Sequence, residues 1–233
     1  MRSGGDHAPR ALLLDVFGTL VDWRTSVAGA LKPYTDRPEA FADAWRSRYQ
    51  PSMDAVRTGR RPFVPLDTLH RESLDQTLEA FAIAADEPAR AGLNLIWHHL
   101  DAWSDVGEGL SRLGQSFILA PHSNGNVRLL VDLARHNGWR WDAILGAEVT
   151  GHYKPEPESY RRAAALLMLD PGECAFVAAH NDDLVAARAC GFSTIFLRRP
   201  TEHGPNQATD LAPSAQWDLV ADSLPEVAER IGH

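Results

Sequence analysis

Ala11-Leu-Leu-Leu-Asp15-Val-Phe17-Gly18-Thr19-Leu-Val21 is the stretch on which the reading of this chain turns. Ala11 to Phe17 is a short apolar run that ends in a turn at Gly18 and carries one acid at its end. Apolar side chains on both sides of the alternation mark a strand covered on both faces, as in parallel sheets. Further runs repeat the pattern: Phe117 to Ala120, Ala143 to Leu145 extended towards Val149, Cys174 to Ala178, and Ser193 to Leu197. Helical stretches lie between them, at Val106 to Leu113, Asn126 to His136, Pro157 to Leu169 and Leu184 to Cys190. Pro171-Gly172 and Gly191 punctuate the ends of two of these. The alternation predicts an α/β fold, a doubly wound parallel sheet with helices on both faces.

Residues 22–103 differ. They hold no convincing strand, and Phe41 to Tyr49, Leu66 to Ala84 and Pro88 to Leu100 place apolar residues at helical spacing. Leu66, Leu69, Leu74, Leu78 and Phe81 share one face of such a helix. The segment is too long for a plain crossover. It predicts a helical cap domain, 22–103, inserted into a core domain made of 1–21 and 104–233.

Composition bounds the function. The chain has 233 residues, 44% of them hydrophobic and 23% charged, with a formal net charge of −8. That is enough apolar content for a packed core, and it argues against a largely disordered chain. The acidic balance argues against nucleic-acid binding, which needs a basic face. No apolar run approaches the ~20 residues of a spanning helix, which argues against a membrane protein. Residues 1–10 are polar, lack an apolar stretch suited to secretion and read as a frayed terminus. Two cysteines, Cys174 and Cys190, lie in apolar surroundings and suggest reduced thiols in a cytoplasmic protein. Lys32 and Lys154 are the only lysines among 23 basic residues. Arginine supplies the generic positive charge here, so Lys154 in Tyr-Lys-Pro stands out as a compact ammonium that arginine cannot mimic.

In an open parallel sheet, ligands bind beyond the carboxyl ends of the strands. Four groups of polar residues fall there. Asp15 and Thr19 follow the first strand, Ser123 and Asn124 the second, Lys154 the third, and His180, Asn181, Asp182 and Asp183 the fourth. Turn chemistry explains any one of these alone; helix capping suits Asp182 in particular. Four such groups at one end of one sheet point to a site.

Leu14-Asp15-Val-Phe-Gly-Thr19-Leu-Val, Ser123-Asn124-Gly125, Tyr153-Lys154-Pro155 and the acidic stretch ending at Asp183 together resemble the haloacid dehalogenase superfamily. The resemblance spans nearly the whole chain and implies a Rossmann-like core with a cap. Trp45-Arg46 and Tyr160 make it most similar to the type II (S)-2-haloacid dehalogenases. It implies an Asp15 nucleophile that displaces halide from a short 2-haloacid and forms an ester, which water then hydrolyses. It further implies that Lys154 holds Asp15 ionised, that Thr19 and Ser123 donate hydrogen bonds, and that Asp183 positions Lys154 or activates water. Arg46 and Asn124 would receive the halide beside Phe17, with Tyr160 supporting the site. The implied partners are the haloacid and water, with a homodimer as the assembly.

Phosphatases of the superfamily carry a second acid two residues after the nucleophile, where this chain has Phe17. Ala178-Ala179 stand where those enzymes have Gly-Asp. A metal-free, cofactor-free site is therefore expected, since Mg²⁺ prefers carboxylate oxygens. Small-metabolite phosphatase activity, or a binding role on the same scaffold, is the alternative. His180 departs from the type II pattern, which has Asn there. It is a candidate for water activation because imidazole titrates near neutrality, or else a hydrogen-bonding spacer. Trp23, Trp45 and Trp103 are expected in the core. His98-His99 are expected to be structural, Arg60-Arg61 a solvated turn, and 198–216 a long loop bordering the site or an interface.

Overall fold

The computed structural model describes residues 9–231, so nearly all of the polar start lies outside the described residues. After β1 (Ala11–Leu14) come five helices, α1 (Trp23–Leu31), α2 (Pro38–Ser47), α3 (Tyr49–Arg57), α4 (Leu66–Ala80) and α5 (Glu87–Asn94), and a 3-10 turn at Leu95–His98. The chain then alternates: α6 (Val106–Leu113), β2 (Ile118–Ser123), α7 (Val127–Asn137), β3 (Leu145–Gly146), α8 (Ala147–Thr150), α9 (Pro157–Leu166), β4 (Cys174–Ala178), α10 (Asn181–Ala189), β5 (Ser193–Leu197), β6 (Leu219–Ala221) and α11 (Leu224–Ile231).

The six strands form one sheet in the order β3-β2-β1-β4-β5-β6, and every pairing is parallel. Successive side chains of a strand point to opposite faces. Leu12 and Leu14 accordingly join Ala175 and Val177 in one buried cluster, while Ala11 and Leu13 join Cys174 and Phe176 in another. Both faces are dry, which is why β1 reads as uninterrupted hydrophobicity rather than alternation. The chain leaves β1 towards β2 and β3, then returns to its other side for β4, β5 and β6. The strand order thus reverses between β1 and β4, and a crevice opens beyond their carboxyl ends. Asp15 follows β1 there, and residues 179–183 follow β4.

The helical segment folds by the apolar spacing seen in its sequence. Leu66, Leu69, Leu74 and Leu78 are fully buried along α4, with Phe81 packed partly against them. On α2, Phe41, Ala42 and Trp45 face inwards, so Arg46 comes off the edge of the buried stripe. No helix of the described residues is long and apolar enough to cross a membrane.

Several expectations need correction. The third strand is only Leu145–Gly146, and the residues expected to extend it form a helical turn, α8, closed by Gly151 at a φ of 72°. The backbone packs closely at that boundary, where a Cβ on Gly146 would lie 2.4 Å from the Gly125 carbonyl oxygen. The helix expected to end at Tyr49 breaks at Arg48, and a separate helix, α3, follows it with Pro51 in its first turn. β6 has three residues, too few to show a period, and lies beyond a proline-rich loop. α11 packs on α6, where Leu224 fills the space left by Gly109.

Candidate active site

Asp15 leaves β1 with its amide N–H bonded to the Val177 carbonyl at 3.0 Å, so the β1–β4 pairing aims it into the crevice. Its carboxylate is almost wholly buried. Oδ1 accepts from the Lys154 ammonium at 2.8 Å. Oδ2 accepts from the Thr19 hydroxyl at 2.7 Å and faces His180 Nδ1 at 3.2 Å. Thr19 in turn accepts the Ala179 amide N–H at 2.9 Å, which ties the first-strand turn to the loop after β4.

Lys154 Nζ also donates to Asp183 Oδ2, at 2.5 Å, and the other Asp183 oxygen accepts the Tyr160 hydroxyl. Asp15, His180 and Asp183 bring ligand atoms within 4.8 Å of one another, a spacing that can hold a metal ion. Here the Lys154 ammonium bridges the two carboxylates of that group.

His180 is clamped from behind. Its Nε2 lies 2.9 Å from Glu202 Oε2, and Glu202, 1% exposed, also accepts the Trp23 indole N–H at 3.0 Å. Gly18 makes room for this acid. Its φ is +84°, and a Cβ there would sit 2.0 Å from Glu202 Oε1. Gly18→Ala therefore combines a strained backbone with a steric clash. It is expected to destabilise the fold by about 2 kcal/mol and to lower activity, as checked by chemical denaturation beside a turnover assay.

Charge follows geometry. Burial alone would raise Asp15, but Lys154 and His180 outweigh it and hold the carboxyl far below the usual carboxylate range. Burial would lower Lys154, yet Asp15 and Asp183 keep it firmly protonated. Burial likewise opposes a charge on His180, and Glu202 with Asp15 reverses this and lifts the imidazole well above its ordinary value. Glu202, which burial would raise, is lowered to about 2 chiefly by His180. Asp183 is raised, first by burial.

A cavity of about 380 Å³ opens over these groups. The core lines it with Asp15, Asn124, Lys154 and His180, and the helical segment with Arg46 and Tyr49. Arg46 lies against three rings, its Cζ 4.0 Å from the Tyr49 centroid, 5.3 Å from Trp23 and 5.8 Å from Phe17. Its Nη1 is buried and has no hydrogen-bond partner among the described residues. Asn124 accepts the Lys154 amide N–H on Oδ1 at 2.7 Å, which leaves its NH₂ group free of that contact.

Ser123 and Tyr160 are buried and do not line the cavity. Ser123 accepts the Gly125 amide N–H at 3.1 Å and shapes the turn that presents Asn124. Tyr160 works through Asp183 rather than facing the cavity. His180, not Asp182, is the N-cap residue of α10, and Asp182 lines the cavity from the first turn. The sequence reading missed Glu202, Gln50, Arg57 and Asp210. Glu202 carried a signal, since the loop after β5 leaves the same end of the sheet as the other site loops. Arg61, expected in a solvated turn, makes a two-pronged pair with Glu72. Trp23, Trp45 and Trp103 each donate an indole N–H, to Glu202, the His70 carbonyl and the Gly18 carbonyl.

Residues 9–191 match the family model described as haloacid dehalogenase-like hydrolase. The chain belongs to that family. It is 30% identical over 225 residues to (S)-2-haloacid dehalogenase 1 of Pseudomonas sp. (strain CBS-3), covering 95% of this chain and 97% of the relative. Among solved structures, a defluorinating L-2-haloacid dehalogenase is 45% identical with a TM-score of 0.94, covering 97% of this chain and 96% of the other. A second L-2-haloacid dehalogenase is 43% identical with a TM-score of 0.93, covering 96% of this chain and 99% of that one.

Proposed function

We propose that this hydrolase removes halide from short 2-haloalkanoic acids, with residues 22–103 as a cap over a core of 1–21 and 104–233. One observation carries the reading: a buried carboxylate is kept ionised by a lysine ammonium beneath a cap arginine whose Nη1 is buried and unpaired. The first supplies a nucleophile and the second a receiver for an anionic leaving group.

In the first step an Asp15 oxygen attacks the substrate carbon next to its carboxylate. The C–O bond forms as the carbon–halogen bond breaks, and halide leaves towards Arg46 and the Asn124 NH₂. Halide needs no proton, so Phe17 serves as an apolar wall. In the second step water attacks the Asp15 ester carbonyl. Esterification removes the Asp15 charge, one of the two that keep His180 protonated. His180 then sheds its Nδ1 proton to solvent and keeps Nε2–H on Glu202. The free Nδ1 takes a proton from the attacking water, the ester C–O bond breaks, and the 2-hydroxyacid leaves with the resting imidazolium restored. Asp183, held on both oxygens by Lys154 and Tyr160, keeps the ammonium in place. Thr19 fixes the orientation of Asp15.

No metal enters this scheme, because Lys154 supplies the cation at the carboxylates. The test is halide release from chloro-, bromo- and fluoroacetate and from both 2-chloropropionate enantiomers, with EDTA present. Release that survives EDTA and favours the (S) enantiomer is the expected result. Phosphate release from a phosphate ester that requires Mg²⁺, with no halide from any haloacid, overturns it. Replacing His180 by Gln is expected to leave one halide released per active site and then to slow turnover about a hundredfold. The Asp15 ester then accumulates and is read as a mass increase of the intact protein. Rapid steady turnover by this variant would remove His180 from the hydrolytic step.

A cytoplasmic location is supported by two free thiols, one of them, Cys174, buried. A homodimer rests on the family resemblance and is checked by solution mass.

A further inference from the structure

Asn126 sits at the N-cap of α7, where an asparagine side chain ordinarily accepts an amide N–H of its own helix. Here it makes no such bond. Its Oδ1 instead accepts the Asp67 amide N–H at 3.3 Å, and its Nδ2 donates to Asp67 Oδ2 at 2.9 Å. Asp67 lies in the first turn of α4, and the N-cap residue of that helix, Pro65, provides no side-chain cap. Asn126 therefore gives α7 no side-chain cap of its own, the Val127 amide N–H going instead to Glu148 at 2.7 Å, and satisfies an orphan donor of a cap helix across the crevice.

The contact is braced. His98, buried between the two parts, meets Asp67 Oδ1 at 3.1 Å through Nε2 and Asp132 Oδ2 at 2.8 Å through Nδ1. Arg128 holds Asp132 on both oxygens, at 2.9 and 2.8 Å. Burial opposes a charge on His98, but the two acids outweigh it and raise its pKa. A second tie reaches the same place, since the Tyr153 hydroxyl donates to the Val64 carbonyl at 2.6 Å. The loops carrying Asn124 and Lys154 are thus each fastened to residues 64–67. None of these ties touches the cavity.

We infer that Asn126, Asp67 and His98 form a latch that sets the Asn124 loop against the cap, so that the grip on halide depends on residues that never meet it. The inference rests on reading Arg46 and Asn124 as the halide receivers. Arg46 comes from the cap and Asn124 from the core, so their separation is fixed only as well as the cap is docked. Asn126 is two residues from Asn124 on one short turn, which makes it the shortest link between docking and grip. These three are positioning residues and act through Asn124.

The test is a double-mutant cycle read by bromide product inhibition, with kcat and KM measured alongside. The enzymes are the unaltered protein, Asn124→Ala, Asn126→Ala and the double variant. Asn126→Ala is expected to weaken bromide inhibition about tenfold and to lower kcat more than it changes KM. The double variant is expected to match Asn124→Ala within about twofold. His98→Gln, which keeps a hydrogen-bonding side chain, is expected to retain more of the bromide affinity than His98→Ala, and this pair carries the test if Asn126→Ala does not fold. Bromide inhibition unchanged in Asn126→Ala, effects that multiply in the double variant, or equal loss in the two His98 variants overturns the latch. Unchanged inhibition in Asn124→Ala instead overturns the halide reading, and the latch with it.

Discussion

Asp15→Asn is expected to lower halide release by at least about a thousandfold while leaving the fold intact. The amide matches the carboxylate in shape, so Thr19 keeps an acceptor if the amide oxygen takes the Oδ2 place. What is lost is the negative charge that attacks carbon and draws Lys154 and His180 together. An amide is a far weaker nucleophile, and the two acids nearest the site are already committed. Asp183 has both oxygens engaged, and Glu202 lies behind His180. The variant should melt cooperatively and show no covalent mass increase with chloroacetate. Substantial halide release by Asp15→Asn would mean that another group starts the reaction.

Lys154→Met should damage both stability and activity. Methionine fills most of the volume but leaves Asp15 and Asp183 buried without the cation between them. Removing one member of a buried charged cluster costs about 3–5 kcal/mol. The fold can reduce that penalty only by protonating a carboxylate. Asp183, already raised by burial, is the one positioned to take the proton. Asp15 keeps His180 but loses its other counter-ion, so its pKa rises and its orientation loosens. Halide release is expected to fall by about a thousandfold or more, with a melting temperature several degrees lower. The sign of the pH dependence follows. Asp15 is depressed in the fold, so its stabilisation is present above the ordinary carboxylate range and lost as pH falls through its lowered value. Lys154 is raised, so its contribution is present below the usual lysine range and lost only as pH climbs through the raised value. In Lys154→Met the acid limb of the stability profile should move upwards in pH. An unmoved acid limb would mean that Lys154 does not govern the Asp15 charge.

The central strands and the position of the site were legible because parallel pairing makes each strand uniformly apolar and sets polar residues at its end. Asp15, Thr19, Lys154 and His180 could be grouped on that ground alone. Glu202 was missed although its loop leaves the same end of the sheet, because its place behind His180 and against Gly18 is set only by the fold. Sequence shows a glycine and, far away, an acid in a loop, and neither position reports the other. The place of Arg46 in the cavity was legible only by resemblance, since it is one of many arginines until α2 turns it onto three rings. Asn126 gave no signal: in sequence it is only the first residue of a helical stretch, and only the structure shows its side chain spent on another helix. β3 was seen as an apolar run but ends at Gly146 rather than towards Val149, and the three-residue β6 falls below the length at which any period can be seen.

The sheet order also governs how the chain behaves while it is being made. β1 emerges first yet lies at the centre of the sheet, between β2 and β4. Until Ile118 has been synthesised it has no partner strand, and until Cys174 it has only one. For most of translation a nascent chain therefore carries Ala11–Leu14 as an apolar ribbon with an unsatisfied backbone edge. The helical segment that follows is the first part able to bury residues locally, and it emerges directly behind that ribbon. Ribosome-bound chains halted before Cys174 should consequently bind holdase chaperones more strongly than chains halted after Leu197.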